Sequence, residues 1–265
     1  MSDPRAAAFK PTAVLTYAAL DDHAIACASA AWPQAPLQLP VDALGPQIEH
    51  LLLAAQGVVP SPSPSPGPLT RASMSVGSNR LIELADQCAV LRLARDPLPE
   101  TTWTQLTIRA KRAAEAAGFS SRSAGQLAAS LGEMLSNILE HSRAPDTGLV
   151  AFRGSERLFE FVVADQGMGA LASLRGNPKY AALATARDAL PLVLQSGCSS
   201  TGDPGRGMGF DDLFRGLANH NGRLRFRSDD AAVIIDGQSP TAIRPKVKQR
   251  APLRGFVASI YCAPL

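Results

Sequence analysis

The spacing of apolar residues predicts two long helices near the middle of the chain. In "PLPETTWTQLTIRAKRAAEAAGF" and in "SSRSAGQLAASLGEMLSNILEHS" the apolar positions recur at steps of three and four residues, which is the period of an amphipathic helix. Gly118 stands where the first helix would end, because glycine suits the left-handed conformation common at helix C-termini. Either Ser120 or Ser121 would be the N-cap of the second helix, since a serine side chain accepts a hydrogen bond from a free helical amide.

Short runs rich in strand formers predict strands on both sides of these helices. The runs are "CAVLRLA" before the helices and "GLVAFRG", "RLFEFVVAD", "RLRFRS", "AAVIID" and "GFVASIYC" after them. Two further helices are expected, in "KYAALATARDALPLVL" and in "FDDLFRGLANHNG". Strands and helices are partly segregated along the chain, which favours the α+β class and a two-layer α/β sandwich.

A Ser- and Pro-rich stretch divides the chain. Residues 58–70, "VVPSPSPSPGPLT", predict an extended spacer, because alternating proline is incompatible with a helix interior or a sheet ladder. Residues 1–57 contain no chemical motif; "TAVLTYAAL" is predicted as a strand and "VDALGPQIEHLLLAAQ" as a short helix. This N-terminal segment packs either on the main body or on a partner. Residues 71–265 form the main domain, with a polar, basic insertion at about 237–254.

Composition narrows the function classes. The chain has 265 residues, of which 46% are hydrophobic and 18% charged, values typical of a globular protein. The formal net charge of +3 gives no argument for direct contact with nucleic acid. Four cysteines without C-x-x-C spacing argue against a zinc site and a disulfide framework. With no signal-peptide pattern and no apolar run of membrane length, a cytoplasmic protein without a membrane partner is expected.

Three polar side chains mark the second helix, within "SLGEMLSNILEHS". Glu133, Asn137 and His141 follow one another at four-residue spacing and form a stripe beside the apolar face. This stripe is either an ordinary solvated face or one wall of a binding site. Gly132 lowers helix propensity, which indicates a close approach to the backbone, either by a ligand or by packing of the helix on a sheet.

Two glycine-bearing segments offer further candidates. In "VVADQGMGA" a predicted strand ends in Asp165, followed by Gly167 and Gly169. This is either a common turn or a site for a flat donor such as an amino-heterocycle. In "SSTGDPGRGMGF" a glycine-rich run precedes a predicted helix, and it is either a flexible loop or a phosphate-binding loop with Thr201 and Arg206 as added donors. The glycines of this run are Gly202, Gly205, Gly207 and Gly209.

In chain order the three segments are E-x-x-x-N-x-x-x-H on a helix, D-x-G-x-G after a strand and G-x-G-x-G before a helix. This combination resembles the GHKL superfamily of Bergerat-fold ATP-binding domains, over about residues 88–262. Within the superfamily, the stretch from "AVLRLA" to "ILEHS" is similar to the anti-sigma-factor serine kinases. The resemblance implies a mixed sheet with helices on one face, and ATP with Mg²⁺ as the ligands.

The resemblance also assigns a role to each matching residue. Asn137 would hold the Mg²⁺ that bridges the ATP phosphates, Glu133 would be the general base, and His141 would lie near the phosphates. Asp165 would bind the adenine amino group, with adenine lying against the neighbouring glycines. Residues 167–205 would form the ATP lid. The residues around adenine and the phosphates would be Gly167, Gly169, Thr201, Gly205, Arg206, Gly207 and Gly209.

Some features depart from the family pattern. The last strand of the family usually begins with Gly-Thr, whereas Phe256 follows Gly255 here, so the threonine is either missing or replaced by Ser259. The basic insertion has no recognised counterpart, and the lid is longer than in the compact serine kinases. These differences concern the partner rather than the nucleotide site.

The resemblance leaves three functions open. The first is a regulatory kinase that transfers phosphate from Mg-ATP to Ser or Thr of a small regulatory protein, a sigma factor or an anti-anti-sigma-like protein. The second is a nucleotide-gated protein-binding module, or an ATPase without kinase activity. The third, the catalytic half of a histidine kinase, needs an upstream phosphoacceptor, and only His50 lies in an upstream predicted helix. The resemblance also allows a homodimer.

Overall fold

The computed structural model describes residues 15–29, 43–61, 67–194, 222–236 and 247–264. The helices are α1 (Tyr17–Ser29), α2 (Leu44–Ala55), α3 (Pro68–Met74), α4 (Glu100–Ala116), α5 (Ser121–His141), α6 (Gly169–Arg175) and α7 (Ala186–Val193). The strands are β1 (Leu81–Ala85), β2 (Cys88–Arg92), β3 (Leu149–Ser155), β4 (Leu158–Asp165), β5 (Arg223–Asp236) and β6 (Val247–Cys262). Short 3₁₀ turns lie at Pro145–Thr147 and Pro178–Tyr180. No helix in the described ranges combines the length and the apolar character needed to cross a bilayer.

The strands form one six-stranded sheet in the order β1-β2-β3-β4-β6-β5. The α+β sandwich is confirmed, and in one detail the structure differs from expectation. Each strand pairing among the described residues is antiparallel, so the sheet is not mixed. The last two strands account for this, because β6 turns back along β5 and enters the sheet between β5 and β4, running opposite to both.

Four helices of the described ranges cover one face of the sheet, as the sandwich requires. Successive side chains of a strand point to opposite faces. Phe152 of β3 and Phe161 and Val163 of β4 point toward α4 and α5 and are fully buried in one core with them. Helices α6 and α7 lie on the same side and contact β5 and β6. The amphipathic period predicted for α4 and α5 is therefore satisfied by this core.

The N-terminal segment covers the opposite face, which decides between the two alternatives left open by the sequence. Leu20 of α1 and Ile48 of α2 share a second core with Ala151 of β3, Val162 of β4 and Val257 of β6. The runs "LVAF" and "FVVA" are apolar without interruption, as in strands buried on both faces. Helices α1, α2 and α3 therefore add a third layer to the two-layer sandwich.

Two N-terminal predictions need correction. "TAVLTYAAL" is not a strand where it is described, because α1 begins at Tyr17; alanine and leucine favour a helix. The spacer is shorter than 58–70, since α3 begins at Pro68. Proline is tolerated at the first helical position because the amide hydrogen that it lacks would have no partner within the helix. Val59 is 5% exposed and belongs to the second core.

The C-terminal half also differs from the predicted elements. "RLRFRS" and "AAVIID" form one strand, β5, whose register shifts near Asp229. Strand β6 begins at Val247, so the second part of the basic insertion pairs with β5. The lid helix is confirmed only in part, as α7. Strand β1 was missed, and the helix predicted in "FDDLFRGLANHNG" lies outside the described residues except for its last glycine.

A buried group of charges fastens α1 and α2 to β5. Arg225 donates to Asp21 at 2.7 Å and to Glu49 at 2.8 Å, and Arg227 also donates to Glu49. Arg227 and Glu49 are fully buried, and Arg225 is 2% exposed. Burial raises the pKa of Glu49, but the two guanidinium groups outweigh it and hold that pKa below its ordinary value. A separate bond joins the amide of Leu44, at the start of α2, to the Glu160 carboxylate of β4 at 2.9 Å.

Candidate functional site

Helix α5 carries the stripe of Glu133, Asn137 and His141. Ser120 is its N-cap and accepts a hydrogen bond from the amide of Ser123 at 3.2 Å. Glu133 is exposed, whereas Asn137 and His141 are half-buried. The stripe thus runs along the border between solvent and core. The core side of the helix consists of Leu127, Leu131, Met134, Leu135 and Ile138.

Gly132 faces a neighbouring helix. A Cβ built on Gly132 would lie 3.4 Å from Cζ2 of Trp103 in α4, an ordinary contact distance. The nearest atom to this position belongs to α4, and an alanine would fit there, so the close approach that the glycine predicted is not found among the described residues.

Asp165, the last residue of β4, has a buried carboxylate with one unpaired oxygen. The residue is 1% exposed. Its Oδ1 accepts a hydrogen bond from the amide of Gly167 at 2.6 Å, while Oδ2 has no hydrogen-bond partner in the described part of the chain. Burial raises the pKa of Asp165 to about 6, and the Gly167 amide acts in the opposite direction. A buried acceptor without a donor costs about 1–3 kcal/mol, so Oδ2 is suited to a donor supplied by a ligand.

The turn after Asp165 is tied to the end of α5. The amide of Met168 donates to the carbonyl oxygen of Ser142 at 2.9 Å, and the amide of Gln166 donates to Oγ1 of Thr147 at 2.9 Å. Ser142 directly follows His141. The structure therefore brings together two motifs that are separate in sequence, the helical stripe and D-x-G-x-G.

Gly167 is required by this arrangement. A Cβ at position 167 would lie 2.1 Å from the carbonyl oxygen of Ser142, a distance that no side chain can occupy. Gly169 is buried and begins α6. Close packing within the protein is thus one reason for Gly167, independent of any ligand.

Strands β5 and β6 close the other side of the turn. The amide of Ala170 donates to Oγ of Ser228 at 2.8 Å, and Ser228 Oγ donates to the carbonyl oxygen of Gly255 at 2.7 Å. Gly255 has a φ of +87°, and a Cβ there would lie 2.1 Å from the carbonyl oxygen of Asp165. Ser228 therefore joins the start of α6 to the strand that lies against Asp165.

Phe256 stands directly opposite Asp165 in the pairing of β4 with β6. Its ring stacks on that of Phe226, with centroids 5.7 Å apart and planes inclined by 20°. Ser259 lies on the other face of the sheet, where a Cβ at Gly45 of α2 would come within 2.2 Å of Ser259 Oγ. Ser259 therefore does not replace the missing threonine, because residues three apart on a strand point to opposite faces.

The phosphate side of the predicted site lies outside the described residues. Its residues, Thr201, Gly205, Arg206, Gly207 and Gly209, stay predictions. The sequence analysis missed Ser142, Thr147 and Ser228. Ser142 ends the helical motif and is signalled only by its position after His141. Thr147 and Ser228 act through hydrogen bonds to distant segments and have no local signal.

The chemistry of the described part fits adenine. A heterocyclic amino group is a flat donor that would satisfy Oδ2 of Asp165, and the half-buried Phe256, which stacks on the core residue Phe226, supplies apolar surface on the strand opposite that carboxylate. Asn137 would offer an amide oxygen to a hard cation such as Mg²⁺.

Comparison with known proteins agrees with this chemistry. Residues 98–220 match the family described as "Histidine kinase-like ATPase domain". The matched range contains α5, Asp165 and the glycine-rich segment. No curated protein shows a significant match to the chain. The chain thus contains a histidine kinase-like ATPase domain of the GHKL type, a nucleotide-binding module.

Proposed function

We propose that the protein binds Mg-ATP and transfers its terminal phosphate to a serine or threonine of a small regulatory protein. The environment of Asp165 supports the binding of a nucleotide. Asp165 is a buried carboxylate at a strand end, one of its oxygens has no hydrogen-bond partner among the described residues, and it lies within a histidine kinase-like ATPase domain. The adenine amino group would donate to that oxygen and offset part of the cost of burying the charge.

Residues of α5 would serve the phosphates. The amide oxygen of Asn137 would coordinate Mg²⁺, with phosphate oxygens and water as the remaining ligands. His141, one turn further along the helix, would lie near the phosphates, and the glycine-rich run at 201–209 would surround them. Mg²⁺ supplies charge neutralisation for phosphoryl transfer when it is bound.

Glu133 would be the general base. It is exposed on α5, one turn before Asn137, where a hydroxyl group of another protein can reach it. In the transfer, the hydroxyl oxygen bonds to the γ-phosphorus, the bond from that phosphorus to the β,γ-bridging oxygen breaks, and ADP leaves. Glu133 accepts the hydroxyl proton.

A histidine kinase is less well supported. His50 is 4% exposed in α2, and burial lowers its pKa. Helix α2 lies on the face of the sheet opposite α5, so His50 is separated from the proposed phosphate site by the sheet. Helix α1 adds His23 as a second upstream helical histidine, although no helix predicted from the sequence contains it, and α1 packs on the same face as α2.

Nucleotide binding is tested by the thermal unfolding of the full chain with ADP, ATP and Mg²⁺. A ligand at 100 times its dissociation constant should stabilise the protein by about 2.7 kcal/mol. Asp165→Asn should lose most of that stabilisation. If neither nucleotide shifts the wild type, the proposed function is wrong.

Phosphoryl transfer is tested with γ-labelled ATP and small candidate partner proteins. Glu133→Gln should abolish labelling of the partner while the dissociation constant for ADP stays within about twofold of wild type. Glu156→Gln is the control, because Glu156 is exposed in the β3–β4 turn, at the opposite end of β4 from Asp165. Tight nucleotide binding without transfer would favour the nucleotide-gated binding module instead.

A further inference from the structure

The N-terminal layer reaches the adenine end of the proposed site through the side chain of Gln56, the C-cap residue of α2. Oε1 of Gln56 accepts a hydrogen bond from the amide of Arg254 at 2.7 Å, and Nε2 donates to the carbonyl oxygen of Arg254 at 3.1 Å. The side-chain amide thus pairs with the backbone of β6 as a neighbouring strand would. A longer contact of 3.5 Å joins Nε2 to Oε1 of Gln166.

Both partners of Gln56 adjoin Asp165. Gln166 directly follows Asp165 in the chain. Arg254 precedes Gly255, whose backbone lies so close to the carbonyl oxygen of Asp165 that a Cβ would come within 2.1 Å. The next residue, Phe256, pairs with Asp165 across the two strands. A shift of the backbone at Arg254 would therefore move Gly255 and Phe256, the residues of β6 that lie against Asp165.

Gln56 itself is held by a well-anchored helix. The first amide of α2 donates to Glu160, and Glu49 in the middle of the helix is bound by two buried arginines. The position of Gln56 at the end of α2 thus depends on the docking of the whole N-terminal layer.

We propose that Gln56 is a positioning residue for nucleotide binding, and that docking of the N-terminal layer and occupancy of the nucleotide site are linked through it. This inference rests on the proposed function. Because thermodynamic linkage is reciprocal, bound nucleotide strengthens the docking of α2, and a change that lifts α2 from the sheet weakens nucleotide binding. The N-terminal segment would then regulate the site from the far side of the sheet.

The matched pair Gln56→Ala and Gln47→Ala tests the role in binding. Gln47 lies in the same helix and also donates a side-chain hydrogen bond, to Oγ1 of Thr70 in α3 at 2.8 Å, so its loss affects the layer without touching β6. Gln56→Ala should raise the dissociation constant for ADP about fivefold or more, and Gln47→Ala should leave it within about twofold. Gln56→Glu keeps the acceptor for the Arg254 amide but sets a carboxylate oxygen against the Arg254 carbonyl, so it should also raise the dissociation constant, and it replaces the alanine variant if that variant does not fold.

Hydrogen exchange of the α2 amides tests the linkage by a readout that a purely structural role would not move. ADP should slow this exchange in the wild type and in Gln47→Ala, but not in Gln56→Ala. Equal ADP affinity in both alanine variants, or the same slowing of exchange in both, would overturn the inference. A wild type that does not bind ADP would instead overturn the proposed function, so the two failures are distinguishable.

Discussion

The amide of Met168 donates a 2.9 Å hydrogen bond to the carbonyl oxygen of Ser142. This bond joins the turn after Asp165 to the end of the helix that bears Glu133, Asn137 and His141. It places the proposed adenine carboxylate and the proposed phosphate residues on one framework, because a shift of α5 relative to the turn would break this bond. The close approach of the two backbones is what excludes a side chain at position 167.

Gly167→Ala should therefore destabilise the protein and loosen the site. The added Cβ would lie 2.1 Å from the Ser142 carbonyl oxygen, so the turn and α5 must separate. We expect a loss of about 2 kcal/mol or more in the free energy of unfolding, measured by urea denaturation. Gly125→Ala is the control: Gly125 lies inside α5 with no other atoms near the added Cβ, and alanine there should stabilise by about 0.5–1 kcal/mol. Equal effects of the two changes would contradict the packing described for Gly167.

Asp165→Asn should stabilise the nucleotide-free protein while removing the response to ADP. The change eliminates a buried charge and keeps the oxygen that accepts from the Gly167 amide. We expect a gain of about 1–3 kcal/mol in the free energy of unfolding near neutral pH. Asp146→Asn, which alters a partly exposed carboxylate 3.9 Å from the exposed Arg95, is the control and should change stability by less than about 0.5 kcal/mol.

The advantage of Asp165→Asn should shrink in mild acid. The pKa of Asp165 is raised from its ordinary 3.8 to about 6 by burial, so the folded protein takes up a proton before the unfolded chain does. Relative to the variant, the wild type therefore gains stability as the pH falls from about 7.5 to about 5. Urea denaturation of both proteins at these two pH values measures the difference, and an advantage that does not change with pH would show that Asp165 is not the titrating group.

Glu49→Gln should be strongly destabilising. Glutamine leaves Arg225 and Arg227 buried with less negative charge, and breaking a buried ion pair by removing one partner costs about 3–5 kcal/mol. Glu83→Gln is the matched control, since Glu83 pairs with Arg109 at 2.8 Å on the surface and should contribute no more than about 1 kcal/mol. Chemical denaturation of both variants provides the comparison. A loss for Glu49→Gln no larger than that for Glu83→Gln would argue against the buried network.

The stability that Glu49 contributes should also be lost in acid. The pKa of Glu49 lies below its ordinary 4.5, so its contribution to stability is fully present above that value and is lost as the pH falls through the lower pKa of the folded protein. The N-terminal layer should loosen in this range. Hydrogen exchange of the α1 and α2 amides below about pH 4.5 should show it, and Glu49→Gln should remove the dependence.

Ser228→Ala should cost about 1–3 kcal/mol in the free energy of unfolding. The change leaves the buried carbonyl of Gly255 and the amide of Ala170 without the hydroxyl that joins them. Ser130→Ala is the control, because the Ser130 hydroxyl donates to the carbonyl oxygen of Gln126, one turn earlier on the accessible side of α5. Alanine there should be neutral or slightly stabilising. Thermal unfolding of the two variants measures the contrast, and a neutral Ser228→Ala would refute the link between β5 and α6.

Local patterns explain which parts of the fold were predictable. Helices α4 and α5 follow from apolar residues at helical spacing, and the N-cap at Ser120 and the end at Gly118 are local signals. Strands β2, β3 and β4 are apolar runs bounded by turn residues. Strand β1 was missed because the short segment "LIELA" shows neither clear alternation nor strong strand propensity.

The sequence by itself determined the class of domain, because Glu133, Asn137, His141 and Asp165 belong to short motifs whose spacing is set by one helix and one strand, and these motifs fall within the matched range. Only the tertiary structure decided what surrounds Asp165. Gln56 and Arg254 are 198 positions apart, and Ala170 and Ser228 are 58 apart. Such contacts depend on strand order and on the docking of a separate layer, and hydrogen bonds between distant segments leave no periodic trace in the chain. The N-terminal layer is the clearest case: its apolar helix was predictable, but its place on the sheet face opposite α5 was set by which face of the sheet remained to be buried.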